Sequence, residues 1–233
     1  MRLSKNSRNG SYNSEYAVAR RKMIKEQLIP RGIVDERVLR VMEQVPRHQF
    51  VEDALVPQAY NDSPLNIGHG QTISQPFMVA LLAQALKLKG SEKVLEIGTG
   101  CGYQTAVLSA LVSQVYSIER LLPLLMKARR NLKRLGIRNV VLKYGDGSRG
   151  WEEKRPFQAI LAAAVSPKIP EPLLHQLEVG GRFVMPLEQG GKQYLICMTR
   201  NASGFKEENL GECRFVKMVG AYAYRQKKGE GKK

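Results

Sequence analysis

The feature that most constrains the fold is a regular alternation of short apolar runs and helical patterns that begins after Gly90. Apolar runs typical of buried strands lie at residues 94–97, 115–118, 140–142 and 157–162. Helical patterns alternate with them, at residues 103–111, 122–135 and 169–177. Because strands and helices joined by short connections build a doubly wound, mostly parallel sheet, the sequence predicts an α/β fold.

Three more strand patterns follow, at residues 183–187, 194–199 and 215–221. The last two leave no room for a full helix between them, so we expect this edge of the sheet to be antiparallel. The runs together predict seven strands.

Residues 15–90 read as a helical segment in front of this sheet. Apolar residues recur at helical spacing up to Leu28, and Asp35 is a candidate N-cap for a second helix. Residues 47–75 form a long, turn-rich stretch, and a loop of this length in a compact domain is usually functional. We expect one functional domain with four parts: a disordered basic extension at 1–14, the helical, substrate-side segment at 15–90, a ligand-binding core at 91–224 and a basic tail at 225–233.

The composition is that of a globular protein and limits its partners. Hydrophobic residues make up 43% of the chain and charged residues 25%, and no apolar run approaches the roughly 20 residues that span a membrane. The net charge is +16, but ten of those charges lie in residues 1–25 and 225–233. Such ends are typical of solvated tails, so we expect no specific nucleic-acid partner. Three cysteines without a CxxC pair and three histidines without ligand spacing predict a cytoplasmic protein with no metal site.

A glycine loop separates the first strand from the helix that follows, which is the point where an open α/β sheet binds its ligand. It reads Gly98-Thr99-Gly100-Cys101-Gly102, with Glu96 two residues earlier. A dinucleotide fingerprint would need its third glycine at position 103, where the chain has Tyr103. The carboxylate of Glu96 suits the cationic amino-acid end of S-adenosylmethionine, directly or through water. The loop therefore favours S-adenosylmethionine over a nicotinamide cofactor.

Two further carboxylates end the next two strands. Glu119 lies 21 residues beyond Gly98, where a carboxylate can accept hydrogen bonds from both ribose hydroxyls. Asp146 follows the third strand and can accept one from an adenine amino group. Each acid alone is as readily a solvated loop residue or an N-cap. Three acids at successive strand ends favour the methyl-donor interpretation.

Ser74 lies in the segment 71–76, which opens a predicted helix that extends to about residue 88. Hydroxyls and backbone N–H groups at a helix N-terminus can bind an anion. The residues alone leave two interpretations open: an anion-binding hydroxyl, or a simple N-cap, which physical considerations favour. No His or Asp lies at a recognisable triad spacing, which argues against a covalent nucleophile.

With these motifs the chain resembles the protein-L-isoaspartate (D-aspartate) O-methyltransferase family over roughly residues 16–219. The specific matches are Pro-Arg-x-x-Phe-Val at residues 46–51 and Thr-Ile-Ser-x-Pro at residues 72–76. The resemblance implies a Rossmann-like class I methyltransferase fold. It also implies methyl transfer from S-adenosylmethionine, which leaves S-adenosylhomocysteine, to the free carboxylate of L-isoaspartyl and D-aspartyl residues in damaged proteins, as the first step of their repair.

The resemblance further implies that Ser74 is the active-site residue and that the enzyme is a monomer acting on isoaspartyl proteins and peptides. It assigns cofactor contacts to Gln71, Thr72, Ile73, Gly98, Thr99, Gly100, Cys101, Gly102, Glu119, Arg120, Asp146 and Gly147. Two departures bear on the substrate-side loops: Gln158 stands where an Asp commonly follows the aromatic residue of the fourth strand, and Leu187-Glu188 replaces a Val-Gly pair.

Three other functions compete with this one. An amino-directed RNA methyltransferase typically carries an Asn/Asp-Pro-Pro-aromatic motif after the fourth strand, where residues 162–167 read Ala-Ala-Ala-Val-Ser-Pro. A small-molecule carboxyl methyltransferase is compatible with the same spacing. A non-catalytic binding module is disfavoured by the intact loop and its acids. In the favoured mechanism the substrate carboxylate, with a pKa near ~4, is already ionised, and Ser74 orients it without removing a proton.

Overall fold

The computed structural model describes residues 10–225, and its N-terminal part is a helical segment. The main elements are α1 (Gly10–Met23), α2 (Glu36–Gln44), the antiparallel strands β1 (Leu65–Gly68) and β2 (Gln71–Ile73), and α3 (Pro76–Ala85). Asp35 caps α2 as predicted, because its Oδ1 accepts hydrogen bonds from the backbone N–H groups of Arg37 at 2.9 Å and Val38 at 3.2 Å. The cap fixes the residue at which α2 begins. The side chains of Val41 and Met42 on this helix are buried in the core.

Two expectations for this segment change. Helix α1 begins at Gly10, so the disorder expected for residues 1–14 does not hold for residues 10–14. Residues 1–9 and the tail from residue 226 lie outside the described part of the chain. The turn-rich stretch contains the β1–β2 hairpin. Strand β1 alternates buried and exposed side chains, but its four residues are at the lower limit of such a signal, and β2 has only three.

The apolar runs after Gly90 pair into one seven-stranded sheet. Its strands are β3 (Lys93–Ile97), β4 (Gln114–Glu119), β5 (Val140–Tyr144), β6 (Phe157–Ala162), β7 (Leu177–Gln189), β8 (Lys192–Asn201) and β9 (Gly204–Glu212), in the spatial order β5-β4-β3-β6-β7-β8-β9. The first five run parallel, and β8 and β9 pair antiparallel. The predicted α/β class, strand number and antiparallel edge are confirmed.

Helices cover both faces of this sheet. They are α4 (Tyr103–Leu111), α5 (Leu122–Arg134) and α6 (Glu171–Gln176), together with the N-terminal helices. Because side chains alternate along a strand, Val94 packs in one core with α3 and α4, and Leu95 packs in a second core with Leu173 of α6. Burial on both faces explains the continuous apolar runs. None of the helices between residues 10 and 225 is long and apolar enough to cross a membrane.

The last strand is not where the sequence predicts it. Strand β9 follows β8 through a tight turn at Asn201–Gly204, whereas residues 215–221 form no strand of the sheet. Nearly all side chains of β9 are exposed, so this strand carries no apolar run that could identify it. We call residues 215–225 the C-terminal strap. Within it, Lys217 forms an isolated bridge with Val165, beyond the end of β6.

Candidate active site

A cleft of about 820 Å³, including its open mouth, lies at the carboxyl ends of β3 and β4. Its walls are the glycine loop, the residues that lead into α3, the chain after β6 and the C-terminal strap. The sequence-predicted residues that line it are Gln71, Thr72, Ile73, Ser74, Gly98, Thr99, Gly100, Cys101, Glu119, Arg120 and Gly147. Three predicted residues do not line it: Glu96, Gly102 and Asp146. The fold thus brings most of the predicted positions to one place.

The glycine loop turns sharply because its glycines adopt backbone conformations that other residues rarely reach. Gly98 has a φ of +93° and Gly100 a φ of +57°. At Gly102, with φ +91°, a Cβ atom would approach the Cβ of Ala128 in α5 to 3.3 Å. The first two glycines shape the wall of the cleft. Gly102 instead allows the loop to pack closely against α5, and it does not line the cleft.

The carboxylate of Glu119 is held at the end of β4 by two backbone donors. Its Oε2 accepts a hydrogen bond from the N–H of Gly100 and its Oε1 accepts one from the N–H of Leu121, both at 2.9 Å. The side chain is only 5% exposed and lines the cleft. Each carboxylate oxygen can accept more than one hydrogen bond. Glu119 is therefore fixed in position and keeps acceptor capacity for hydroxyl groups of a ligand.

The side chain of Glu96 does not line the cleft; its buried carboxylate supports the glycine loop. Its Oε2 accepts hydrogen bonds from the hydroxyls of Thr105 at 2.5 Å and Ser117 at 2.6 Å. Burial raises the pKa of this carboxyl to about 7, against the opposing effect of those two hydrogen bonds, and the charge of Glu119 raises it further. Its Oε1 has no hydrogen-bond partner among the described residues. Glu96 does not line the cleft, so its predicted contact with the cofactor, directly or through water, stays a prediction.

Asp146 fastens the C-terminal strap. Its Oδ1 accepts hydrogen bonds from the N–H and the hydroxyl of Ser148, and its Oδ2 accepts one from the N–H of Ala221 at 2.8 Å. Ser148 Oγ in turn accepts from the N–H of Tyr222 at 3.1 Å. Both oxygens of Asp146 thus accept from protein donors, and the residue lines a depression next to the cleft and not the cleft itself, whereas its neighbour Gly147 lines the cleft wall.

The strap is the part of the site that sequence reasoning missed. Val216, Lys217, Met218 and Val219 all line the cleft. Two backbone hydrogen bonds hold them beside β6: the N–H of Val165 donates to the carbonyl of Val216 at 2.8 Å, and the N–H of Met218 donates to the carbonyl of Val165 at 2.7 Å. The apolar run 215–221 predicts only a strand, although residues 214–216 (Arg-Phe-Val) also match the family.

Ser74 is half-buried and lines the cleft, and it is not the N-cap of α3. The helix begins at Pro76 and its N-cap is Gln75, whose side chain makes no capping hydrogen bond. Between residues 10 and 225, no hydrogen bond joins the Ser74 hydroxyl to another side chain or to the backbone. The N-cap interpretation is therefore wrong, and the hydroxyl remains available to a ligand.

The residues present fit S-adenosylmethionine. Glycine backbone allows close approach of the amino-acid end, Glu119 offers acceptors to the ribose, and Ile97, Ile118 and Leu124 give an apolar surface for a ring. Among residues 10–225, no group of three or more His, Cys, Asp or Glu side chains is placed to hold a metal ion.

Comparison with known proteins gives a consistent result. The family profile described as protein-L-isoaspartate(D-aspartate) O-methyltransferase matches residues 19–223. The protein-L-isoaspartate O-methyltransferase of Geobacter metallireducens is 51% identical over 210 residues, which cover 90% of this chain and 97% of the relative. That of Syntrophotalea carbinolica is 53% identical over 213 residues, covering 91% and 98%.

Solved structures agree with the sequence matches. A structure named protein-L-isoaspartate O-methyltransferase superposes with a TM-score of 0.79 at 29% identity, covering 88% of this chain and 67% of that one. A putative protein-L-isoaspartate O-methyltransferase from Plasmodium falciparum, in complex with S-adenosyl-L-homocysteine, has a TM-score of 0.76 at 28% identity, covering 86% and 98%.

Proposed function

This chain belongs to the protein-L-isoaspartate(D-aspartate) O-methyltransferase family, and we propose that Ser74 and the glycine loop bring an isoaspartyl carboxylate and the cofactor's methyl group together in one cleft. The protein is an S-adenosylmethionine-dependent methyltransferase that esterifies isoaspartyl residues of proteins. The observation that carries the residue assignment is that Ser74, the glycine loop and Glu119 line the same cavity.

The cofactor would be held mainly by the loop and by Glu119. S-adenosylmethionine supplies a methyl group on a positively charged sulfur. Glu119 accepts hydrogen bonds from the ribose hydroxyls, while Gly98, Gly100 and Gly147 allow the backbone to lie close to the ligand. Residues Gln71, Thr72, Ile73, Thr99, Cys101 and Arg120 complete the contacts on the cleft wall. Glu96, Gly102 and Asp146 act indirectly, by holding the loop, α5 and the strap in place.

The substrate carboxylate needs orientation more than activation. With a pKa near ~4 it is ionised at neutral pH, so no general base is required. Ser74 donates a hydrogen bond to one carboxylate oxygen and directs the other toward the methyl group. Alignment of two reactants can contribute about 7–11 kcal/mol to lowering a barrier. The strap forms one wall of the cleft, and shelter of the reacting groups from water would favour a reaction in which opposite charges are neutralised.

Methyl transfer to matched acceptors tests this function. Labelled cofactor is supplied with two peptides that differ only in Asp versus isoaspartate at one position, and in parallel with RNA and with small carboxylic acids. We expect base-labile label on the isoaspartyl peptide alone. Preferential labelling of RNA or of the small acids would contradict the proposal and favour the competing methyltransferase classes.

We also propose an assembly state and a compartment for the protein. The whole cleft is built from one chain, so we propose that a monomer acts on isoaspartyl proteins. Cys101, Cys197 and Cys213 carry free thiols, which fits the reducing cytoplasm that we propose as its compartment.

A further inference from the structure

The mouth of the cleft carries cations that lack carboxylate partners. Arg120 and Lys217 line the cleft, and Arg120 and Arg225 line the shallow depression next to it. Salt bridges occur at several other places on the molecule, yet none within the described range involves Arg120 or Lys217. Lys217 is exposed and Arg120 half-exposed, so both charges reach solvent at the entrance.

The acidic groups nearby are already engaged. Glu119 is buried and accepts hydrogen bonds from two backbone N–H groups. Asp146 accepts from Ser148 and Ala221 and has the Arg149 guanidinium at 3.5 Å. Glu188 accepts a hydrogen bond from the hydroxyl of Tyr224. Glu119 keeps its charge but is buried, and Asp146 is paired with Arg149, so Arg120, Lys217 and Arg225 are the charges that reach solvent at the entrance. A surface charge of one sign at a cleft attracts ligands of the opposite sign.

Lys217 is held where it can act on a bound polypeptide. The residues on either side of it are bonded to both backbone groups of Val165, which fixes its Cα beside the chain that leaves β6. Its Nζ lies 4.8 Å from the ring centroid of Tyr224. This cation–π contact stabilises the position of the ammonium group without neutralising its charge. The side chain thus presents a free positive charge on the same cleft as Ser74.

We propose that Lys217 is a specificity residue that selects isoaspartyl sites flanked by acidic residues, by pairing its ammonium with a neighbouring Asp or Glu of the substrate. The proposal rests on the function proposed above and names a subclass of its substrates. Arg120 and Arg225 extend the same field outward. Ser74 binds the α-carboxylate of the isoaspartyl residue, and Lys217 binds the side-chain carboxylate of the flanking Asp or Glu.

A panel of four peptides tests the proposal. Each contains one isoaspartate, with Glu or Gln either directly before it or directly after it. The quantity compared is the ratio of kcat/KM for the Glu peptide to that for its Gln counterpart, at low and at high salt. One exposed ion pair changes such a ratio by about two- to fivefold. At one of the two positions we expect the wild type to show a ratio of that size, because the Glu peptide has the lower KM. At high salt the ratio should move closer to one.

Variants identify the residue responsible. Lys217→Gln should bring the ratio to about one and Lys217→Glu should invert it, while Lys206→Gln should leave it at the wild-type value. Lys206 is an equally exposed lysine in β9, which is paired with Thr199 at the opposite end of the sheet from the cleft. S-adenosylhomocysteine binding by every variant confirms that the fold is intact.

The outcomes separate the two proposals. A wild-type ratio of one or below at both positions, or an unchanged ratio in Lys217→Glu, overturns the role of Lys217 and leaves the proposed function standing. No methylation of any of the four peptides overturns both.

Discussion

At the scale of single residues, the hydroxyl of Ser74 is the polar group best placed to hold the substrate. It lines the cleft and has no hydrogen-bond partner among the described residues. Ser74→Ala should lower kcat on an isoaspartyl peptide by about 10- to 150-fold, which corresponds to one hydrogen bond to a charged group. Ser74→Thr keeps the hydroxyl and should retain more activity. Steady-state kinetics measures both, and a calorimetric titration should show nearly unchanged S-adenosylhomocysteine affinity. A collapse of that affinity in Ser74→Ala would mean that the residue holds the cofactor instead.

Glu119 is the residue on which cofactor affinity should depend most. Its loss removes the acceptor for the ribose and also frees the N–H groups of Gly100 and Leu121. We expect Glu119→Ala to weaken S-adenosylhomocysteine binding by about 1–3 kcal/mol, as for lost hydrogen bonds to a charged group. The exposed Glu43→Ala on α2 is the matched control and should bind as the wild type does. Equal affinities for the two variants would remove Glu119 from the site.

Glu96 should make stability depend on pH. Its pKa is about 7 in the folded protein, above the usual value of 4.5, so the folded state binds the proton more tightly than the unfolded state does. Stability is therefore lost as the pH rises between about 4.5 and 7, by up to about 3 kcal/mol. Glu96→Gln lacks this titration. Urea unfolding at pH 5 and pH 8 should show a larger loss in the wild type than in the variant, and parallel curves would contradict the assignment.

Sequence reasoning identified the chemistry of these residues better than their positions. Glu119 lines the cleft as its place at a strand end predicts. Glu96 and Asp146 also follow from strand ends, but their carboxylates accept from Thr105, Ser117, Ser148 and Ala221 instead. Ala221 lies 75 positions from Asp146 along the chain. Residue type and spacing do not record which donor comes from so distant a segment.

At the scale of elements, the strap should control access to the cofactor. A Cβ at Gly220 would lie 2.1 Å from Asp146 Oδ1 and 2.5 Å from Ser148 Oγ, so Gly220→Ala should push the strap away from both. We expect S-adenosylhomocysteine binding to weaken about fivefold, as for the loss of one hydrogen bond, and proteolysis after residue 215 to become faster. The exposed neighbour Ala221→Ser keeps its N–H and is the control. Wild-type affinity and wild-type cleavage of Gly220→Ala would refute the role of the strap.

The elements that the sequence predicted are those that are buried. Strands β3, β4 and β6 and helices α4 and α5 pack in the core, so their apolar signal is strong. Strand β9 has an exposed edge and polar side chains, β2 has only three residues, and the alternation in β1 spans only four, so all three give a weak signal. The apolar run of the strap predicts a strand, because burial against the cleft selects the same apolar residues as burial in a sheet.

At the scale of the whole molecule, parallel strands place their carboxyl ends at one edge, and this geometry is what joins distant motifs into one site. The class of the fold and the location of the ligand follow from that rule and were predicted from sequence. The cleft wall formed by the strap does not follow from that rule, because it depends on where the chain goes after its last strand.

The central claim is that this one cleft holds the methyl donor. Calorimetric titration of the full chain with S-adenosylhomocysteine tests it most directly. The account predicts saturable binding of one molecule per chain, unchanged in Ser74→Ala and weakened in Glu119→Ala. Absence of binding by the folded wild-type protein would contradict it.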